Sequence, residues 1–119
     1  MTLQDRPTAA ELTEAVRDFL ERDVMPAVNG RVAFHTRVAV NALGMVEREL
    51  TLGPGLDAAE HERLRALLGH DGTIRELTVE LARGIRAGSF DDRRAEVVDL
   101  VRESVRAKLL VANPGYLDR

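Results

Sequence analysis

The chain has 119 residues, a length that fits one domain able to bury a core without metals or disulfides. Its 45% apolar and 31% charged residues exclude a disordered chain, and its lack of Cys excludes disulfides, thiolate metal sites and cysteine nucleophiles. A net charge of −3 gives no field toward nucleic acid or anionic lipid, and no apolar run approaches the roughly 20 residues of a membrane span. The Met1–Pro7 segment lacks the basic-then-apolar layout of a signal peptide, so the expectation is a cytoplasmic protein that touches neither nucleic acid nor membrane.

Thr8-Ala9-Ala10-Glu11 is a capping box, and Leu12, Val16, Phe19 and Leu20 follow at steps of three and four. This predicts a first helix to about Asp23, ended by Pro26. A second, long helix is predicted from after Asn29-Gly30 to about Leu52. Its apolar residues, among them Val32, Phe34, Val38, Met45, Val46 and Leu50, cover about half of a helical wheel. Such a width predicts a central helix touching several neighbours.

Gly53-Pro54-Gly55 reads as the clearest break, with Asp57-Ala58-Ala59-Glu60 capping a short third helix that carries Leu64, Leu67 and Leu68 and stops at Gly69. His70-Asp71-Gly72 reads as a turn. Thr73-Ile74-Arg75-Glu76 is a further capping box, opening a helix with Ile74, Leu77, Leu81 and Ile85 on one stripe and Gly88 at its C-cap. Asp91-Asp92 opens the last helix, lined by Val97, Val98, Val101, Val105, Leu109 and Ala112 and stopped by Asn113-Pro114-Gly115. Tyr116 and Leu117 are left to fold back from the tail. The fold class predicted is therefore all-α: one domain over residues 1–119, an antiparallel bundle of about five helices with the long second helix central.

His35 falls near the middle of the long helix's apolar arc, where a buried imidazole serves either as a core residue with a hydrogen-bond partner or as a base or ligand. No second ligand stands at helical spacing from it, so the core reading is favoured and no metal or other cofactor is assigned. Arg31 and Glu49 project to the same side as His35 from opposite ends of the helix, and need partners on other helices. His61-Glu62 starts like a zinc-protease motif, but Arg65 stands where the second His is required. Gly44, inside the long helix, reads as a close helix contact. Gly84 and Gly88 do not match a phosphate loop, and Ser89 and Ser104 have no sequence-adjacent base. No catalytic constellation emerges.

Three stretches carry a resemblance: Gln4 to Leu12; Phe34-His35-Thr36-Arg37-Val38-Ala39-Val40-Asn41 running into Val46-Glu47-Arg48-Glu49-Leu50; and Lys108-Leu109 with Asn113-Pro114-Gly115-Tyr116. Together they resemble a bacterial domain-of-unknown-function family of small helical proteins. The resemblance implies encoding beside aminoglycoside-phosphotransferase-like kinases and acyl-CoA dehydrogenases, and transfers no catalytic residue. Three functional expectations follow. The first is a non-catalytic accessory partner of a phosphotransferase-like or acyl-CoA-handling enzyme. The second is a small-molecule binder with a pocket at Phe34, His35, Val38, Asn41 and Met45. The third is a self-associating structural protein, a homo-oligomer paired through the long helix or the Val97–Leu109 stripe.

Overall fold

The computed structural model describes residues 5–118, so the Met1–Gln4 part of the N-terminal readings and the terminal Arg119 lie outside the described residues. Four α-helices and no strand occur among the described residues. The chain groups into two compact units, Met1–Gly53 and Pro54–Arg119.

In the first unit, helix α1 spans Ala9–Phe19. Thr8 Oγ1 accepts from the Glu11 amide and Glu11 Oε1 accepts from the Thr8 amide, both at 3.1 Å, so the capping box forms as its residues dictate. Arg6 Nη2 donates to Glu11 Oε2 at 2.7 Å. That bond first, and the backbone amide and hydroxyl of Thr8 after it, pull the pKa of the Glu11 carboxyl down to about 2. Beyond Phe19 the helix widens into one π-type turn, Leu20–Val24, and tightens into a 3-10 turn, Met25–Ala27. Pro26 sits in that tight turn, where its missing N–H breaks no ladder. Thr36 and Val40 are buried in this unit, on a face of the second helix that the apolar pattern did not mark.

The second helix departs most from expectation. Helix α2 runs unbroken over Gly30–Leu68, 39 residues with Pro54 inside it, so the helices predicted before and after Gly53-Pro54-Gly55 are one and the count is four rather than about five. A residue preceding proline avoids the helical region mainly because its Cβ and amide meet the proline ring. Gly53 has no Cβ, which removes half of that clash. Neither Gly53 nor Gly55 uses positive φ; both stay helical. Asp57 and Glu60 are accordingly mid-helix residues, and Glu60 caps nothing: its Oε1 accepts from Ser104 Oγ at 2.7 Å.

The second unit holds the apolar core. Leu64 and Leu67 of α2, Leu77 and Leu81 of helix α3 (Ile74–Ala87) and Leu100 of helix α4 (Arg94–Ala112) form one buried cluster, with Leu68, Ile74, Phe90 and Val97 against it. Helix α3 begins in the Thr73/Glu76 capping box. It ends in a Schellman motif at Gly88, whose φ is 80° and whose neighbour Ser89 donates to Gly84 O at 2.9 Å. Phe90 then folds back over Gly84 so closely that a Cβ there would stand 2.2 Å from Phe90 Cε2. Asp91–Arg93 form a 3-10 turn leading into α4, and Arg93 Nη1 donates to Leu67 O at 3.0 Å, satisfying a carbonyl at the end of α2.

The inner face of α4 also differs from the predicted one. It is centred on Leu100 with Val97 and Ser104, while Val98, Val101 and Val105 are 40–50% exposed. A serine on the inward stripe hid it from a hydrophobicity pattern. Ser104 is satisfied there by donating to Glu60 and to Leu100 O. The tail forms a 3-10 turn, Pro114–Asp118, directly after α4, with Tyr116 54% exposed.

Candidate functional site

Two kinds of surface are candidates, apolar helix faces in the first unit and polar clusters in the second. Of the five residues expected to line a pocket, Phe34 is 65%, Val38 48% and Met45 41% exposed, and His35 and Asn41 are exposed as well. The reading of His35 as a core residue is therefore corrected. The physical reason lies in α2 itself: its buried positions, Thr36 and Val40, stand on the face opposite Phe34, Val38 and Met45. Thr36 is tolerated inside because its hydroxyl donates to Val32 O at 2.7 Å. The His35 ring meets the Phe34 ring edge-on, centroids 5.3 Å apart at 81°. The long helix thus carries apolar side chains all round while burying few of them.

Helix α1 behaves likewise. It has no buried residue, and Leu12, Val16 and Phe19 are 50–56% exposed along one stripe. What ties it to α2 is polar: Arg17 Nε donates to Glu47 Oε2, and Arg17 Nη2 reaches Glu47 Oε1 at 3.4 Å, with both side chains largely buried. The Glu47 bond holds the Arg17 guanidinium protonated above its ordinary range. Gly44, read as a helix contact, has Arg48 of its own helix as its nearest neighbour, 3.3 Å from an added Cβ.

In the second unit the turn after α2 gathers two histidines. His61 Nε2 lies 2.9 Å from both Asp71 Oδ1 and Gly72 O, and Arg65 Nε lies 3.6 Å from the same Asp71 oxygen. His70 Nδ1 faces Asp71 O at 3.1 Å and its Nε2 faces Glu80 at 2.7 Å. Both His70 nitrogens therefore meet acceptors, an arrangement that only the imidazolium satisfies in full, and its pKa is raised, chiefly by Glu80. Asp71 is lowered, chiefly by its bond from the Gly72 amide. These bonds fasten the turn predicted at His70-Asp71-Gly72 to the two helices around it. Among the described residues no group of three or more metal-ligating side chains converges.

A groove of about 290 Å³ lies beside α4, floored by Ala66, Leu67 and Leu100 and rimmed by Arg63, Glu96, Asp99 and Glu103. Arg63 Nε is buried there without a hydrogen-bond partner, although Nη2 reaches Glu60 at 3.4 Å. Ser104 Oγ donates to Glu60 and to Leu100 O, and the Ser89 amide closes the cap of α3.

These features define an all-helical protein with outward apolar helix faces, and no helix among its described residues is long and apolar enough to cross a membrane. The chain belongs to the family described as Domain of unknown function (DUF6285), whose model matches residues 26–116. No curated protein and no solved structure matches it. The matched stretch contains α2, α3 and α4 and starts after α1. Of the three stretches that carried the resemblance, the second and third fall inside it and the first falls outside.

Proposed function

We propose that the chain is a non-catalytic interaction protein that docks on an enzyme through helix α1, the enzyme being a phosphotransferase-like or acyl-CoA-handling one. The observation that carries this reading is the α1 stripe. Leu12, Val16 and Phe19 stand at i, i+4 and i+7, half-exposed, on a helix that buries nothing. That is the anchor spacing with which an amphipathic helix fills an apolar groove of a partner. The enzyme class comes from the family resemblance. The polar clusters support a non-catalytic role, since His61 and His70 are engaged by the turn at Asp71-Gly72 and by Glu80 of α3, and Ser104 links α4 to Glu60 of α2.

Co-expression of the tagged chain with a phosphotransferase-like kinase and with an acyl-CoA dehydrogenase is the test. One enzyme should co-purify with the wild type, and Val16→Glu should abolish association while leaving helicity by circular dichroism unchanged. No association at micromolar concentration, or association that ignores Val16→Glu, overturns the reading.

A further inference from the structure

We infer that the outward face of α2 is a self-recognition surface, on which a second copy of this chain packs its own α2 in antiparallel orientation. The proposal concerns a face of the first unit other than the α1 stripe and does not rest on an enzyme partner. Phe34, Val38, Asn41 and Met45 follow each other at steps of four, three and four along this face. Such spacing is that of a coiled-coil seam.

The choice of a second copy rests on the symmetry of the residues. Phe34 and Met45 lie at nearly equal distances on either side of residue 40, and so do the oppositely charged Arg31 and Glu49. Arg31 and Glu49 share one flank of the face but are about 27 Å apart along the helix, too far to meet within it. Neither has an ion-pair partner among the described residues. A two-fold axis through residue 40, perpendicular to the helix, sets each Arg31 against the Glu49 of the other copy, and each Phe34 against a Met45. It also brings the two Asn41 amides together, where a polar pair fixes register. A parallel pairing sets Arg31 against Arg31 and Glu49 against Glu49. Unlike charges therefore select the antiparallel arrangement.

The full chain is to be measured by light scattering coupled to size exclusion from 1 to 200 μM, a range of about two decades. The expected mass is twice the 13.2 kDa of the chain. Val38→Glu should shift it to the monomer with helicity intact. Arg31→Glu and Glu49→Arg should each weaken the dimer at least tenfold, and the two together should restore it. Because the chain has no Cys, introduced thiols give a clean second reading. Arg31→Cys combined with Glu49→Cys should cross-link into a covalent dimer, whereas Arg31→Cys alone should not. A monomer at every concentration, or a dimer indifferent to Val38→Glu, overturns the proposal. Cross-linking of Arg31→Cys alone overturns the antiparallel register.

Discussion

Gly84 shows how a single missing atom shapes the second unit. With a Cβ 2.2 Å from Phe90 Cε2, Gly84→Ala must displace the ring that helps cover the leucine cluster. The expected loss is about 1–3 kcal/mol, more than the helix propensity gained, read as a lower urea midpoint. Adding Phe90→Leu should recover part of it; a Gly84→Ala variant as stable as the wild type would contradict the packing. His70 makes the second prediction at this scale. Its pKa is raised in the folded chain, so the stabilisation by Glu80 is fully present below the ordinary histidine pKa near 6.5 and fades as pH rises through the folded value. The melting temperature of the wild type should fall, relative to Glu80→Gln, as pH is taken from 6 to about 8. Parallel curves would sink the assignment. Glu11 has the opposite sign: its contribution is held above the ordinary carboxyl range and fades toward about 2.

Element by element, legibility followed how local the determining physics is. The two true capping boxes could be read directly because all their partners lie within four residues, and Thr73→Ala should cost about 1 kcal/mol by losing the Glu76 amide bond. Asp57-Ala58-Ala59-Glu60 has a similar pattern and caps nothing, because helix α2 continues through it and Glu60 is engaged by Ser104, 44 residues away. Gly53-Pro54-Gly55 misled for the same reason: glycine before proline reads as flexibility, but its lack of a Cβ is also what lets the helix pass. Pro54→Ala should therefore stabilise the chain, by up to about 3 kcal/mol in chemical denaturation, by returning an amide donor to the ladder. A loss of helicity in that variant would show that Pro54 supports the helix instead. The candidate pocket rested on inference of a different kind. A wheel shows which residues share a face, but not whether that face is covered, and Phe34, His35 and Val38 share one that is open.

Across the whole molecule, apolar burial is uneven between the units. The leucines of the core cluster, Leu64, Leu67, Leu77, Leu81 and Leu100, all lie beyond Gly53, while among the described residues of the first unit Val40 is the one hydrophobic side chain buried below a tenth. Leu64→Ala should accordingly remove about 2–5 kcal/mol, and Leu12→Ala little, by denaturant titration. Helix α1, tied to α2 by the Arg17–Glu47 pair and burying no side chain, belongs to the part of the chain expected to open at small free energy. In deuterium exchange its amides should therefore label within seconds while those around Leu77 stay protected far longer. An element so readily released can be lent to another protein without the leucine core ever having to open.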